Sequence, residues 1–427
     1  MDMNSKIKKV PELLSPAGNF EKMKAALLYG ADAVYLAGTR FGMRSAADNF
    51  NDGELLEAVK YVHERGKKIY LTMNTMPHGY EYADMRAFLE RIKDYGIDAM
   101  IVADLGVLAA IKEIIPNMEI HISTQASIVS PEAARAYAAL GAKRLVLARE
   151  LTLDEIKAIR AGLPADVELE AFIHGSMCVS YSGRCMLSYN LTGRDANRGA
   201  CTQPCRWVYT VTEEKRPDTP FPIEQNELGT FVMSSKDMCT IEHVPELIDA
   251  GIDSFKIEGR MKSAYYTAVV TNAYRMAIDA YMRDGENYTY DPSLMRELES
   301  VSHREYCTGY YFDDPIKNAQ LSGLNGYIRE KAYFATAIDG DEIKRPENLE
   351  YENENGKLYP FIQRNKVSLC DSAELISPNK IGKAFKVTEL YSEDGAPIES
   401  APHPAMKFYV RVPFEVKVGD IMRGGEE

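Results

Sequence analysis

The sequence predicts an α/β protein built on a (β/α)8 barrel of the TIM type, with a cysteine-rich insertion after strand seven and a small C-terminal all-β domain. Three observations predict this fold. A glycine followed by a short apolar run recurs five times, which is typical of a helix that ends before a buried strand. Helical segments separate most of these runs, and repeated β-α units of about 30 residues indicate parallel strands. One interval between strands is far longer than the others.

Eight apolar segments are the predicted barrel strands. They are PELLSPAG from Pro11, GADAVYL from Gly30, GKKIYL from Gly66, GIDAMIV from Gly96, EIHISTQ from Glu119, GAKRLVL from Gly141, ELEAFIHG from Glu168 and GIDSFKI from Gly251. Asn19 is placed to cap the helix that ends at Gly30. An open doubly wound sheet is the alternative, but no predicted strand is followed by the G-x-G-x-x-G turn of a dinucleotide fold.

The long interval lies between strands seven and eight. We expect residues 176–252 to form an insertion, and it contains five of the seven cysteines. Loops that follow barrel strands lie at the catalytic end of such barrels, so this insertion should border an active site. The barrel should span 1–330. Short β-prone runs between turns then predict a C-terminal β-barrel-like domain over 331–427.

Composition restricts the functional classes. The 427 residues carry a formal net charge of -13, which argues against a general nucleic-acid coat and requires a local basic patch for any RNA contact. No apolar leader or stretch of roughly 20 apolar residues is present, so we expect a cytoplasmic protein without a membrane partner. Seven unevenly spread cysteines indicate metal or redox chemistry rather than a disulfide scaffold.

The cysteines of the insertion are the main candidates for metal binding. Cys178, Cys185, Cys201 and Cys205 have the spacing C-x6-C-x15-C-x3-C, and Cys239 follows. An iron-sulfur cluster takes four thiolates at variable spacing. A structural zinc site usually has two close pairs, and only Cys201 and Cys205 form one. Buried free cysteines are the third interpretation, although these thiols stand among polar residues.

Basic and aromatic residues accompany the thiols. Arg184, Arg194, Arg198 and Arg206 interleave with the cysteines, which suits either an anionic ligand or an RNA backbone, or simply neutralises several thiolates. The aromatic residues could stack an exposed base, but packing within the insertion is the favoured interpretation. They are Tyr181, Tyr189 and Trp207.

Polar residues near strand ends complete the candidate site. As catalytic groups we expect Glu170, His174, Lys256 and Glu258. Substrate contacts are expected from Arg44, Asn49, Asn74, Gln125, Arg184, Arg198, Arg206, Arg260, His303 and Arg304. Each has a structural alternative; because side chains alternate along a strand, Lys256 and Glu258 share a face and could neutralise each other.

The segment from Glu170, E-A-F-I-H-G-S-M-C-V-S-Y-S-G-R-C-M-L-S, resembles the signature of the collagenase-like peptidase family U32. The resemblance extends over nearly the whole chain. The further matching segments are ELLSPAGNFEKMKAAL, DANRGACTQPCRW, SSKDMC, KIEGRMKS and HREYCTGYYF.

The resemblance implies one of two activities. Some members are described as collagen-degrading proteases, and others resemble oxygen-independent hydroxylation proteins that carry a 4Fe-4S cluster. The latter act on the tRNA wobble uridine, on a cytidine of the large ribosomal RNA or on ubiquinone precursors. For RNA substrates, prephenate is the implied hydroxyl source. Chain length and the single C-terminal β domain make this sequence most similar to the tRNA branch, which forms 5-hydroxyuridine.

The resemblance also implies a ligand set. Cys178, Cys185, Cys201 and Cys239 fall on the cluster pattern, with Cys205 as the extra thiol, although some relatives use a C-x3-C pair like Cys201 and Cys205. We therefore expect a 4Fe-4S cluster, with zinc as the alternative. The expected partners are tRNA and a small anionic co-substrate, with an electron donor or partner protein as a further candidate.

The peptidase alternative has little support in the residues themselves. The sequence contains no G-x-S-x-G, and His63-Glu64 is not part of an H-E-x-x-H motif. His174 and Cys178 are the one candidate pair of base and nucleophile. A non-enzymatic RNA-binding or partner-binding protein with a structural metal is the third functional hypothesis.

Overall fold

The computed structural model describes residues 9–44, 48–178, 180–207, 225–226, 229–230, 235–312 and 327–425. In the first part of the chain, short buried strands alternate with helices. In chain order these are β1 (Glu12–Pro16), α1 (Phe20–Leu28), β2 (Ala33–Leu36), α2 (Asp52–His63), β3 (Lys68–Met73), α3 (Tyr82–Ile92), β4 (Ala99–Val102), α4 (Leu105–Ile114), β5 (Glu119–Ile122), α5 (Pro131–Ala139), β6 (Arg144–Val146), α6 (Leu153–Ala161) and β7 (Glu168–Ser176).

The insertion and the end of the barrel follow β7. Their elements are α7 (Leu187–Thr192), β8 (Gln225–Asn226), β9 (Gly229–Thr230), β10 (Asp237–Cys239), α8 (Val244–Asp249), β11 (Ser254–Ile257), α9 (Ala264–Asp284), α10 (Ser293–Glu299) and β12 (Tyr306–Cys307). No helix in the ranges given above is long and apolar enough to cross a lipid bilayer.

The sheet closes into a barrel. Strands β1 to β7 pair in parallel in chain order, and β11 pairs in parallel with both β7 and β1. The register places Ser254 beside Glu170 on one side and beside Glu12 on the other. All eight predicted strands are therefore barrel strands, and closure excludes the open doubly wound sheet.

The glycine pattern that predicted the strands is confirmed in the backbone. Each of the five glycines that precede these strands has a positive φ, a conformation that costs a residue without Cβ little. At the other end of the first helix, the Asn19 side chain accepts the Lys22 N–H, as predicted for a cap. Local sequence signals thus set the helix boundaries of this barrel.

The insertion contains a strand, β10, that lies beside the last barrel strand before it, β7. Strand β10 pairs antiparallel with β7, with Met238 opposite Gly175 and Cys239 opposite His174. Strand β12 then pairs in parallel with β10. Because of this pairing, Cys239 lies beside the end of β7, while the segment 178–207 lies over the carboxyl ends of the barrel strands.

The C-terminal region is all β in its described residues. Its strands are β13 (Tyr333–Ala337), β14 (Glu352–Asn353), β15 (Gly356–Gln363), β16 (Val367–Ser368), β17 (Ser372–Ile376), β18 (Lys383–Lys386), β19 (Leu390–Ser392), β20 (Ser400–Ala401), β21 (Lys407–Val412) and β22 (Ile421–Gly424). The main sheet has the order β18-β17-β22-β13-β15-β21-β19. It has its own apolar core around Phe361 and Phe408, and the boundary at residue 331 stays a prediction.

Candidate active site at the mouth of the barrel

Two adjoining cavities lie where the insertion covers the carboxyl ends of the strands. The central cavity is bordered by strand-end side chains and by thiols of the insertion: Arg44, Asn74, Gln125, Arg149, Lys256, Glu258, Arg260, Cys178, Cys185, Cys201 and Cys205. The lateral cavity shares three of these thiols and is also bordered by Arg44, Arg206, Glu258, Lys262, Tyr266, Tyr327 and Arg329. The thiols therefore lie at the boundary between two spaces.

Four thiols converge on the central cavity. Two of their sulfur atoms accept backbone hydrogen bonds: Leu187 N–H donates to Cys185 Sγ and Gln203 N–H donates to Cys201 Sγ, both at 3.3 Å. Hydrogen bonds of this kind stabilise thiolate ligands and tune bound iron. Burial raises the pKa of Cys205, so a nearby cation would be needed to hold it as a thiolate.

Cys239 lies apart from these four thiols. It is buried against β7 and borders neither cavity; the Tyr274 hydroxyl lies 3.9 Å from its Sγ. Burial raises the pKa of Cys239 to about 12, which favours the neutral thiol. We expected Cys239 in the ligand set and Cys205 outside it; the structure brings Cys205 together with the other thiols, and β10 holds Cys239 away.

The donor set of the central cavity consists of four thiols, the ligand type that a 4Fe-4S cluster takes. Within the described residues, no group of three or more His, Cys, Asp or Glu side chains is arranged to hold one metal ion. A zinc ion needs four donors converging at about 2.0 to 2.3 Å from one point. A 4Fe-4S cluster takes one thiolate on each of four irons, so its ligands surround a larger body. Four thiols around a common cavity fit that requirement.

Glu258 lies between two arginines at the mouth. Its carboxylate is 3.8 Å from Arg44 Nε and 3.6 Å from Arg149 Nη2. Burial opposes ionisation, but Arg44 and Arg149 outweigh it and lower the pKa of Glu258. The guanidinium of Arg149 also stacks on the ring of Phe172 at 3.9 Å. This carboxylate is therefore ionised and held in place, as a predicted site residue should be.

Arg260 is the most deeply buried cation of the mouth. It donates to Thr72 Oγ1 at 3.3 Å and to the Arg44 carbonyl at 3.2 Å. Burial lowers the pKa of Arg260 to about 10, so the side chain remains a cation at neutral pH. Asn49 Nδ2 donates to the same carbonyl at 3.4 Å, and we therefore reinterpret Asn49 as a residue that holds the Arg44 loop.

Two amides face the central cavity. Asn74 Oδ1 accepts the Met43 N–H at 3.1 Å, which fixes the orientation of this side chain. Its Nδ2 lies 3.4 Å from Ser123 Oγ. Gln125 is only 4% exposed, and its Oε1 has no hydrogen-bond partner among the described residues. A buried acceptor without a partner costs free energy unless a ligand supplies a donor.

Comparison with known proteins agrees with these features. The model of peptidase family U32 matches residues 18–321, and the model of the U32 C-terminal domain matches residues 347–423. The chain belongs to peptidase family U32. The resemblance seen in the sequence is thus confirmed.

Three relatives illustrate the range of this U32 family. The chain is 36% identical to tRNA hydroxylation protein P1 of Bacillus subtilis, over 98% of this chain and 96% of the relative. It is 40% identical to the 23S rRNA 5-hydroxycytidine C2501 synthase of Escherichia coli, over 64% of this chain and 40% of that protein. It is 34% identical to a collagenase of Porphyromonas gingivalis, over 82% of this chain and 84% of the relative.

Glu170 of this U32 protein belongs to the barrel interior. It is fully buried, with Lys256 Nζ at 2.7 Å and Arg144 Nη1 at 3.2 Å. Burial opposes ionisation, but Lys256 and Arg144 lower the pKa of Glu170. Lys256 thus pairs with Glu170 on the neighbouring strand, not with Glu258 as the strand alternation had suggested. Lys256 reaches the cavity, and Glu170 does not border it.

Three further residues predicted for the site of this U32 protein border neither cavity: His174, His303 and Arg304. His174 is 1% exposed among tyrosine rings, and burial lowers its pKa to about 3, so the imidazole is neutral and unsuited to acid-base catalysis near pH 7. Arg304 forms a buried ion pair with Asp237 at 2.7 Å. His303 stacks on Tyr306 and donates from Nδ1 to the Arg304 carbonyl at 2.7 Å. Our expectation that they act on substrate is not supported.

The four arginines of the insertion separate in space. Arg184 donates to the Gln125 carbonyl at 3.0 Å, and Arg198 pairs with Glu81 at 2.7 Å. Arg194 is exposed. Arg206 borders the lateral cavity and donates to the Tyr327 hydroxyl at 2.9 Å. Only Arg206 of this set therefore lies beside the thiols in the described part of the chain.

The aromatic residues of the insertion differ from our favoured interpretation. Tyr181, Tyr189 and Trp207 are all exposed, so they do not form a core of their own. Tyr189 borders a third cavity beside Arg194 and Arg198, and none of the three rings borders the central or the lateral cavity.

Three cations that border the cavities, Arg149, Lys262 and Arg329, were not predicted. Arg149 lies three residues beyond the end of β6, and its place after a strand was a usable signal. Lys262 lies two residues beyond Arg260 in the KIEGRMKS segment and borders the lateral cavity. That position depends on the loop between β11 and α9, which strand periodicity does not describe.

Proposed function

We propose that this protein hydroxylates RNA without dioxygen and forms 5-hydroxyuridine at the wobble position of tRNA. The observation that carries the proposal is that four thiols, several cations and an amide oxygen without a partner among the described residues border one cavity at the barrel mouth. It is supported by a relative named a tRNA hydroxylation protein that matches nearly the full chain.

The proposed cofactor is a 4Fe-4S cluster held by Cys178, Cys185, Cys201 and Cys205. Support comes from the common cavity of these thiols and from the N–H donors on Cys185 and Cys201. When bound, the cluster would supply redox-active iron at the border of both cavities.

The proposed hydroxyl source is prephenate, a small dicarboxylate. Cationic side chains surround both cavities and suit carboxylate groups. The reaction replaces the uridine C5–H bond with a C5–OH bond and the C–OH bond of the donor with a C–H bond. Two-electron oxidation of the base is balanced by two-electron reduction of the donor, and dioxygen is not consumed.

The proposed RNA contact is local, because the whole chain is acidic. Tyr181, Tyr189 and Trp207 are exposed on the insertion, and Tyr189 borders a cavity together with Arg194 and Arg198. Bases of single-stranded loops are commonly recognised by stacking on such rings. An anticodon loop is a substrate of this kind.

The peptidase alternative is less well supported by the geometry. His174 borders neither cavity and is paired with buried tyrosines, so it does not activate Cys178. The similarity to a relative named a collagenase leaves that activity to be tested directly.

The test is a reconstituted reaction. Protein purified without air should be brown and contain iron and sulfide. Incubated with tRNA and prephenate, it should yield a nucleoside heavier by one oxygen atom, detected by mass spectrometry, and omission of prephenate should abolish the product. A colourless protein with stoichiometric zinc, or tRNA that stays unmodified, would contradict the proposal. Cleavage of denatured collagen by the same preparation would favour the peptidase alternative.

A further inference from the structure

The two cavities share three thiols, and each is bordered by four cations, but the lateral cavity has fewer carboxylates. In the described residues, the lateral cavity is bordered by four cationic side chains and by Glu258 as its one carboxylate. The cations are Arg44, Arg206, Lys262 and Arg329. Glu258 already lies between Arg44 and Arg149, so it does little to offset the charge of the other three. Such a cavity attracts an anion.

Lys262 is the deepest of these cations. Its side chain is 15% exposed, and its Nζ donates to the Ser302 carbonyl at 2.8 Å and lies 4.1 Å above the ring of Tyr327. Asp237 lies 4.0 Å from Nζ but pairs more closely with Arg304, at 2.7 Å. Burial lowers its pKa to about 8, and the neighbouring Arg304, Arg206 and Arg329 contribute in the same direction, against Asp237. An anion in this cavity would relieve the repulsion among these cations.

The central cavity is better balanced. It is bordered by four cations, Arg44, Arg149, Lys256 and Arg260, and by the carboxylates Glu150 and Glu258. Arg149 faces Glu258, and Lys256 pairs with Glu170. What it offers beyond charge is a pair of amides. Asn74 is fixed with its amino group available, and the Gln125 oxygen has no partner among the described residues.

These amides match a uracil edge. Uracil presents carbonyl oxygens, which accept hydrogen bonds, beside an N3–H that donates one. Asn74 cannot turn its oxygen to the cavity without losing the Met43 N–H, so it offers a donor there. The amino group of a cytosine would meet that donor unfavourably. Gln125 Oε1 is then available to accept the N3–H.

We infer that the two substrates reach the thiols through separate cavities: a small organic dianion through the lateral cavity, and a flipped-out uracil through the central one. This inference rests on the proposed function. A dianion is favoured over an RNA phosphate in the lateral cavity because Lys262 is deeply set, whereas backbone phosphates are contacted by cations near the surface. A base removed from its stack fits an enclosed pocket with edge-reading amides.

The inference is tested by exchanging one residue in each cavity. Lys262→Gln removes a cation of the lateral cavity, and Gln125→Leu removes the amide of the central cavity. Lys236→Gln is the control, because Lys236 is partly buried and paired with Glu305 but borders neither cavity. Prephenate binding to the cluster-loaded protein is measured by calorimetry without RNA, and KM values are measured for prephenate and for a uridine-containing anticodon stem-loop.

Each of the two substitutions should affect one substrate and leave the other unchanged. Lys262→Gln should weaken prephenate binding about tenfold or more, the usual effect of losing a hydrogen bond to a charged group, and leave the KM for RNA within about twofold. Gln125→Leu should raise the KM for RNA about tenfold with unchanged prephenate binding. Lys236→Gln should match the unmodified protein, and a cytidine-containing stem-loop should be a poorer substrate.

Other outcomes overturn the inference. If Lys262→Gln weakens RNA binding and not prephenate binding, the lateral cavity holds an RNA phosphate. If prephenate binds the variants and the unmodified protein equally, the dianion lies elsewhere. The binding measurement needs no turnover, so it decides the dianion site even if the unmodified protein fails to hydroxylate tRNA, a failure that would count against the proposed function instead.

Discussion

The two ends of the barrel interior use similar residues in opposite ways. At the amino ends of the strands, Arg144 contacts Glu12, Glu168 and Glu170, and Tyr70 donates to Glu12 at 2.6 Å. Every charge in this group has a partner of opposite sign within the group or beside it. Buried charges are tolerated only when paired in this manner.

At the carboxyl ends the polar atoms are less completely paired. Gln125 Oε1, Arg149 Nε and Arg260 Nε are buried without hydrogen-bond partners among the described residues. All three residues border the central cavity. The comparison teaches that inward-facing charge alone does not indicate function in a barrel. What separates the functional end from the structural end is the hydrogen-bonding capacity left for a ligand.

The largest expected effect comes from removing Arg144, the cation shared by the carboxylates at the amino ends of the strands. Arg144→Met should leave Glu12, Glu168 and Glu170 without their shared cation and lower the free energy of unfolding by about 3 to 5 kcal/mol. Urea denaturation measures it. Arg135→Met is the matched control, because Arg135 pairs with Glu132 at the exposed surface. A loss no larger than that of the control would show that the two ends do not differ as we argue.

The second prediction concerns the thiols. Cys205→Ala should abolish bound iron and reduce tRNA hydroxylation more than about a hundredfold, because a cluster with three protein ligands is readily lost. Cys239→Ala should retain iron and activity and only destabilise the fold slightly, since it removes a buried sulfur. Iron content and visible absorbance are the measurements. The reverse result would make Cys239 the fourth ligand and Cys205 a bystander.

The sequence predicted the features that depend on local patterns. The strands, the insertion and the shared position of Cys178, Cys185 and Cys201 at its start follow from apolar runs, glycines and spacing. These signals lie within a few residues of the element they determine, so a single sequence contains them.

Features that depend on pairing between distant segments were not predictable in this way. Cys239 is separated from the other thiols because β10 pairs with β7, which the spacing of cysteines does not reveal. Similarly, Lys256 meets Glu170 because the β7–β11 register places Ser254 beside Glu170. Alternation along a strand gives the inward face, but it does not give the height in the barrel or the partner across it.

The third prediction concerns Glu258 at the carboxyl ends of the strands, where a substitution should reduce activity without unfolding the protein. Glu258→Gln should lower the free energy of unfolding by about 1 to 2 kcal/mol, less than Arg144→Met, because the two contacts that it weakens are 3.6 and 3.8 Å long and Arg44 is partly exposed. Activity should fall about ten- to a hundredfold, since the charge balance beside both cavities changes. Thermal unfolding and initial rates together distinguish this result from the loss expected for Arg144→Met. Unfolding as large as for Arg144→Met would assign Glu258 to the structural group.

The smallest expected effect is a loss of unfolding free energy at low pH that comes from Glu168, at the amino ends of the strands. Lys9 and Arg144 outweigh burial and lower the pKa of Glu168 to about 2, below its ordinary value of 4.5. A carboxylate with a lowered pKa stabilises the fold above its unfolded pKa, and this contribution disappears as the pH falls through the folded value. The protein should therefore lose stability between about pH 4.5 and pH 2, by on the order of 1 kcal/mol from this group because it is partly exposed. Glu168→Gln should flatten that part of the curve of unfolding free energy against pH. An unchanged slope between these pH values in the Glu168→Gln variant would show that Glu168 does not contribute to acid sensitivity.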